Sequence, residues 1–147
     1  MSSSVSNTLA SILEWIMKII VLGILIWLLT IGLKSFDNAT FHKIFVGFTY
    51  QINDKTPHRL ENTRSRLDST FYTNQVFYVD MTLGNDIKNN PPVDDIHQEL
   101  KQFFESSVTG PKKFGVTMKR YQVKTTYRFV DAEGSPLSDE TIPHSQF

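Results

Sequence analysis

The longest apolar stretch of the chain lies near its N-terminus. Fifteen consecutive residues, 19–33, carry no charge, and a helix of that length spans roughly 22 Å, less than the ~30 Å hydrocarbon core of a bilayer. Apolar residues also recur every three or four positions over residues 9–18, which predicts that the helix starts before the uncharged stretch. We therefore expect a single transmembrane anchor over residues 9–34, preceded by a short polar tail over residues 1–8.

Three side chains flank the apolar segment as membrane-interface anchors do. Trp15 fits the aromatic belt of a membrane–water interface, Lys18 can extend its ammonium group to the headgroups, and Lys34 closes the other end. A cleaved signal peptide is the first alternative, but the first eight residues contain no Lys or Arg and no Ala-x-Ala site follows the stretch. A buried core helix is the second, but a domain of about 110 residues could hardly surround so apolar a cylinder.

The flanking charges specify the orientation of the anchor only weakly. Lys and Arg counts on the two sides differ by a single residue, with the slight excess on the C-terminal side. Short N-terminal tails before a bitopic anchor favour an extracytoplasmic domain. We therefore expect a single-pass protein of the cell inner membrane with its domain on the periplasmic side, if the protein is bacterial.

After the anchor the polar and apolar positions predict alternating strands and helices. Residues 41–52 alternate and predict a strand, with a continuation of the anchor helix through Phe48 as the alternative. Thr56 and Pro57 have the residue types of a helix N-cap and first turn, so a surface helix is expected there, with Leu60, Leu67 and Phe71 on a narrow apolar stripe.

The second half of the domain gives clearer signals. Residues 76–83 predict a strand and residues 94–107 a helix that faces the sheet. Residues 114–130 are rich in β-branched and aromatic types and predict one long bent strand or two joined strands, with a bulge or turn near residues 119–121. Expected core residues are Phe77, Val79, Met81 and Leu83 on the strand and Ile96, Leu100, Phe103 and Phe104 on the helix.

These elements predict an α+β fold. A soluble domain over residues 41–130 would form two layers, a mainly antiparallel sheet with about two helices on one face, and residues 131–147 would be a polar, mobile tail. Hydrophobic content of 40% and eleven phenylalanines are typical of a folded core.

Composition removes several classes of chemistry. The chain has no cysteine, so disulfides and thiolate metal sites are excluded. Its four histidines are scattered singly, and no nucleophile elbow or phosphate-binding glycine motif is present. Asp94 and His97 would share a helix face, but a capping aspartate and a surface histidine explain them better than a metal site. We expect no catalytic residue, metal or cofactor.

One basic segment is a candidate for a binding function. Between residues 112 and 128 there are six cationic side chains and no acidic one, and an unbroken strand would place three of them on one face. They form a candidate contact surface for lipid headgroups or an acidic partner; a solvated sheet face paired with acidic residues elsewhere, or a basic edge strand that resists strand pairing, is the alternative. The six residues are Lys112, Lys113, Lys119, Arg120, Lys124 and Arg128.

Together these patterns predict a non-enzymatic accessory or structural subunit of a larger membrane complex. Its expected partners are the lipid bilayer and other subunits of that complex, docked by strand addition or through the basic segment; nucleic acid is not expected because the net charge is zero, and oligomer formation is left open. A membrane-anchored sensor that binds a lipid or small molecule is the first rival, and it requires an apolar cavity beside Phe77, Val79, Phe103 or Phe104. A membrane-bound enzyme is the second.

Overall fold

One long helix, α1 (Ser2–Asn53), begins the chain. The computed structural model describes residues 2–87 and 90–147, apart from the side chains of residues 2–3 and 33–38. It divides into two units, Met1–Thr40 and Phe41–Phe147. The helix starts earlier than the expected position near Thr8, because no glycine or proline in the polar residues 1–8 prevents the apolar helix from extending backwards.

The first unit contains the apolar segment. Ser4–Gly32 has a mean hydropathy of 2.4, and none of its most apolar window is buried within the protein. Within the described part of the chain this segment has the length and composition needed to cross a membrane, which a signal sequence near an N-terminus also has.

Residues 41–53 belong to α1, so the strand predicted over residues 41–52 is wrong and the alternative of a continued helix holds. Phe45, Phe48 and Ile52 are buried, and Phe41 packs at the edge of the same cluster. Their spacing of four, three and four positions matches one face of a helix. The alternating pattern arose because apolar residues also stand between these positions.

The helix predicted from Thr56 is also wrong. The chain forms a short strand, β1 (His58–Arg59), and then β2 (Arg66–Thr73), which pair antiparallel. A β-bulge between Leu67 and Ser69 shifts the alternation of β2 by one residue, which hides the strand pattern in the sequence. The side chain of Asn53 holds the outer edge of β2: it accepts from the Thr70 N–H at 2.8 Å and donates to the Thr70 carbonyl at 2.8 Å.

The predicted strand over residues 76–83 is present as β3 (Val76–Thr82). It joins β2 through a two-residue turn, Asn74 and Gln75, with φ angles of 50° and 62°. Two successive positive φ values are the geometry of a type I′ hairpin turn, whose twist matches that of the strands. The four apolar side chains predicted on one face of β3 are all buried: Phe77, Val79, Met81 and Leu83.

The predicted helix over residues 94–107 is present as α2 (Val93–Ser107), with Ile96, Leu100 and Phe104 fully buried. The strand expected from residue 114 is wrong in its first half, which forms a second short helix, α3 (Phe114–Arg120). Its buried residues lie at helical spacing, and the phase shift noted near residues 119–121 marks the end of this helix. The second half is β4 (Lys124–Val130), which pairs parallel with β3.

Residues 131–147 are part of the folded domain, so the expectation of a mobile polar tail is wrong. They contain β5 (Glu140–Ile142), antiparallel to β4, and a short 3₁₀ turn over His144–Gln146. Ile142 and Phe147 are buried, at 5% and 3% exposure. These two side chains, with the partly buried Leu137, fix a mostly polar segment, because each removes apolar surface from water.

The α+β fold class is confirmed. The sheet has the order β1-β2-β3-β4-β5, with one parallel pair among antiparallel ones, so it is mixed rather than wholly antiparallel. The core lies on one face, where aromatic rings from α1, α2 and α3 meet Phe77 and Tyr72 of the sheet. The other face, which we call the open sheet face, carries side chains from β1 to β5 that pack against no helix among the residues that the structure describes.

Candidate interaction surfaces

The structure divides the six predicted basic residues between two surfaces. Lys112 and Lys113 directly precede α3, while Lys119 and Arg120 end it, and all four are exposed. Val116 lies among them with 67% of its surface exposed. We call these five residues the α3 basic face. A cationic rim around an exposed apolar side chain is a pattern suited to an anionic, partly apolar surface such as a membrane interface.

Lys124 and Arg128 lie instead on the open sheet face. Arg128 is not a free cation, because its Nε donates to Asp80 Oδ1 at 2.7 Å. This hydrogen bond is the largest of the influences that raise the pKa of Arg128 above its ordinary value. The prediction that one unbroken strand places Arg120, Lys124 and Arg128 on the same face is wrong. Arg120 belongs to a helix, and the other two belong to a strand.

The centre of the open sheet face is a stack of aromatic and cationic groups. The Phe71 and Tyr78 rings are parallel within 5° with centroids 4.5 Å apart, and the Arg128 guanidinium lies 4.6 Å from the Phe71 centroid. Ser69 donates to the second oxygen of Asp80 at 2.9 Å. The strands therefore hold two half-buried aromatic rings and an arginine in fixed positions on a surface without a helical cover, and such residue types dominate the binding energy of protein interfaces.

The predicted interface anchors lie on α1. Trp15 is 67% exposed, and Lys18 forms a 2.7 Å ion pair with Glu14 one helical turn earlier. The side chain of Lys34 lies outside the described residues. Their role as membrane-interface anchors stays a prediction.

His97 is buried, so the expectation of a surface histidine is wrong. Its exposure is 3%; Nδ1 lies 2.6 Å from the Tyr127 hydroxyl and Nε2 lies 3.2 Å from the Gln146 carbonyl. Burial is the main cause that lowers the pKa of His97, and complete burial raises the pKa of Tyr127. The Phe147 ring packs edge-on against the imidazole at 4.6 Å. The group ties α2, β4 and the C-terminal segment together.

The carboxylates near this region serve structural roles. Glu99 accepts from the backbone N–H groups of Glu61 and Asn62 at 3.1 and 3.2 Å, and Glu105 accepts from the Gly115 N–H at 2.6 Å. Asp94 is exposed in the first turn of α2. Among the residues that the structure describes, no three His, Asp or Glu side chains lie close enough to hold a metal ion.

The aromatic residues named for a ligand cavity pack against one another. Phe77, Val79 and Phe104 are fully buried, with the Phe77 and Phe104 centroids 5.9 Å apart. Phe114 fills the space between them, at 5.3 and 5.1 Å from the two rings. Phe103 is half-buried and stacks on His58 at 3.9 Å. A packed core stands where the sensor hypothesis requires a cavity.

Sequence reasoning missed a second basic site. Arg59, Arg64 and Arg66 line one cavity of about 450 Å³ together with Asp86 and the start of the loop after β3. The sequence assigned these arginines to the solvent side of a helix that does not form. The sequence does show three arginines within eight residues, which indicates a basic segment. Only the hairpin between β1 and β2 places these arginines around one cavity.

Comparison with solved structures shows a shared fold. The type II secretion system pilotin AspS from Vibrio cholerae matches with a TM-score of 0.51 and 9% identity, over 78% of this chain and 98% of that chain. The pilotin EpsS from the type 2 secretion system of Vibrio vulnificus matches with a TM-score of 0.48 and 8% identity, over 73% of this chain and 91% of that one. Neither a protein-family model nor a curated protein sequence matches this chain.

Proposed function

We propose that the protein is a non-enzymatic accessory subunit of a membrane complex, held to the bilayer by α1 and docked on a partner protein through its α+β domain. The observation that carries this proposal is the apolar Ser4–Gly32 segment joined to a domain with an uncovered sheet face. The Vibrio cholerae structure with the same fold is a secretion-system pilotin, and this supports an accessory role in an envelope assembly.

The open sheet face is the proposed docking surface for the partner protein. Strand addition is less favoured, because the edge strands are short: β1 has two residues and β5 has three. Asn53 already occupies the backbone groups of Thr70 on the exposed edge of β2. The stacked Phe71 and Tyr78 rings, by contrast, offer rigid contact area at little entropic cost.

The α3 basic face is the proposed contact with lipid headgroups. Tyr121, which follows Arg120, contacts Phe41 with ring centroids 3.9 Å apart. Phe41 is the first residue of the second unit, so this face lies beside the point at which the chain enters the domain. Each cation near an anionic membrane surface contributes about 1 kcal/mol of attraction, so four would strengthen the tether substantially.

A pull-down of the full chain, solubilised in a neutral detergent and crosslinked beforehand, tests the docking role. The wild type is expected to retain a partner at fixed stoichiometry, and the double variant Phe71→Ala/Tyr78→Ala is expected to lose it. Tyr50→Ala is the matched control, since Tyr50 is an aromatic residue that is 70% exposed on α1. Recovery of the wild type without a stoichiometric partner, or equal loss in the control, would contradict the proposal.

Anchor retention and orientation need separate measurements. The intact mass of the membrane-extracted protein distinguishes a retained anchor, expected at 16.9 kDa for the full chain, from a cleaved signal peptide. Because the chain has no cysteine, a single Ser138→Cys substitution at an exposed loop position can report topology. Labelling by a membrane-impermeant maleimide before cytoplasmic lysis is expected; labelling only after lysis would place the domain in the cytoplasm.

A further inference from the structure

The arginine cavity has a net positive charge that the described residues do not neutralise. Arg59 and Arg66 come from β1 and β2, and Arg64 comes from the turn between them. Asp86 is the one carboxylate among the described residues that line the cavity, and Asp68 beside it pairs with Arg66, which leaves a net charge of about +1. Arg66 is held by Asp68 at 2.5 Å, whereas Arg59 and Arg64 have no ion pair within the described part of the chain.

Two cations face each other across β1 and β2, and the ion pair between Arg66 and Asp68 offsets only part of their repulsion. Arg59 and Arg66 are direct cross-strand partners on the same face of the sheet. Like charges at directly opposed positions of an antiparallel pair destabilise it. A negatively charged group between the arginines would convert this repulsion into two attractive interactions, so ligand binding and hairpin stability would be coupled.

The backbone holds the arginines in place. The Leu60 N–H donates to the Ser65 carbonyl at 2.8 Å and closes the turn, within which Arg64 has a φ of 53°. The loop after β3 packs closely on this turn, because a Cβ built on Gly84 would lie 3.3 Å from the carbonyl oxygen of Arg64. Glu99 also accepts hydrogen bonds from two backbone N–H groups of the turn. These restraints fix the backbone from which the arginine side chains extend, which reduces the entropic cost of binding.

We propose that this cavity binds a terminal phosphate, as inorganic phosphate or as a phosphomonoester. Such a group carries a charge of about −1.5 to −2 near neutral pH, so it can pair with both Arg59 and Arg64, whereas a carboxylate would neutralise only one arginine. Guanidinium groups bind phosphate oxygens in a two-pronged geometry that lysine cannot provide. The volume of about 450 Å³ is within the range of small-molecule sites and leaves room for the group that carries the phosphate.

The cavity and the Phe41–Tyr121 contact lie at opposite ends of β4. Thr82, at the cavity, pairs with Val130 at the end of β4, whereas the Phe41–Tyr121 contact lies before the start of that strand. Seven residues of strand separate the two ends by roughly 20 Å.

Phosphorus NMR of the full chain in maltoside micelles tests the proposal, with inorganic phosphate as the first probe and phosphatidic acid doped into the micelles as the second. Arg59→Ala/Arg64→Ala is expected to weaken phosphate affinity by about tenfold or more, since both charge-assisted contacts are lost. Lys112→Ala/Lys119→Ala removes the same charge from the α3 basic face and is the control for inorganic phosphate, with an expected change in phosphate affinity of less than about twofold. It is not a control for phosphatidic acid, because that face is the proposed contact with lipid headgroups. Thermal unfolding midpoints verify that both variants fold.

The two probes and two variants distinguish a soluble ligand, a lipid ligand and the absence of a phosphate site. Line broadening of inorganic phosphate that only the arginine variant abolishes supports a soluble ligand. Broadening confined to phosphatidic acid and abolished by the same variant supports the phosphate site with a lipid as its source. Absence of broadening with both probes, or a loss of inorganic phosphate broadening in the lysine control equal to that in the arginine variant, overturns the proposal.

Discussion

Tyr127→Phe tests whether the buried histidine and tyrosine hold the C-terminal segment. The Gln146 carbonyl can only accept a hydrogen bond, so His97 Nε2 must carry the proton and Nδ1 must accept from the Tyr127 hydroxyl at 2.6 Å. The substitution removes that donor and keeps the ring. His97 Nδ1 is then left as a buried acceptor without a partner.

The expected cost follows from that unpaired acceptor. Leaving a buried polar group unsatisfied costs about 1–3 kcal/mol. For a domain the size of Phe41–Phe147, each kcal/mol lowers the unfolding midpoint by about 4 °C, so Tyr127→Phe should lower it by roughly 4–12 °C. Tyr50→Phe makes the same chemical change on an exposed side chain and should change the unfolding free energy by less than about 0.5 kcal/mol.

The assay must report on the domain. Both tryptophans, Trp15 and Trp27, lie in the apolar segment of α1, so tryptophan fluorescence follows the wrong unit. Near-ultraviolet circular dichroism of the full chain in detergent, which follows packed tyrosine and phenylalanine rings, gives the midpoint. Equal midpoints for Tyr127→Phe and Tyr50→Phe would refute the argument.

The same group predicts a pH dependence. Burial lowers the pKa of His97 in the folded state below the unfolded value of about 6.5, so the unfolded chain binds the proton more readily. The contribution of neutral His97 is therefore complete above about pH 6.5 and is lost progressively as the pH falls below it toward the folded pKa. The unfolding midpoint should drop over that interval, and His97→Gln should reduce the drop; an unchanged pH profile in that variant would exclude His97 as its cause.

Two glycines and one asparagine provide further tests by the same unfolding measurement. Gly115→Ala should lower the free energy of unfolding by about 0.5–1.5 kcal/mol, because its Cβ would displace the Glu105 carboxylate, which then loses its hydrogen bond from the Gly115 N–H. Gly47→Ala meets no atom within 4 Å and should raise it by about 0.5–1 kcal/mol. Asn53→Ala should lower it by about 1–3 kcal/mol, because the backbone groups of Thr70 lose their partner. A stabilising Gly115→Ala, a destabilising Gly47→Ala or a neutral Asn53→Ala would contradict these arguments.

The sequence predicts β3 and α2 because one periodicity dominates in each. Every second residue of β3 is buried, and the buried residues of α2 recur at three- and four-residue spacing. Residues 41–53 fit both periods, since their seven apolar or aromatic side chains include sets at two-residue spacing and at helical spacing, and only the core decides in favour of the helix. In β2 the bulge at Leu67 breaks the alternation, so local pattern cannot identify the strand.

The candidate sites were harder to predict than the fold class. The sequence finds the α3 basic face as a run of cations, but it cannot show that Arg128 is paired with Asp80, 48 positions away. The arginine cavity depends on the hairpin between β1 and β2, which was not expected. The burial of His97 depends on Tyr127 and Gln146, both distant in sequence, and on a C-terminal segment whose polar composition concealed its two buried residues.

The parallel pairing of β3 with β4 has a consequence for the order of folding. The β2–β3 hairpin closes through two residues and can form early, because little chain entropy is lost. Pairing of β3 with β4 requires residues 93–120, which form α2 and α3, to be synthesised first, since they lie between the two strands in sequence. During synthesis the far edge of the hairpin therefore stays unpaired until nearly the whole chain has emerged, and this edge is where a chaperone would be needed.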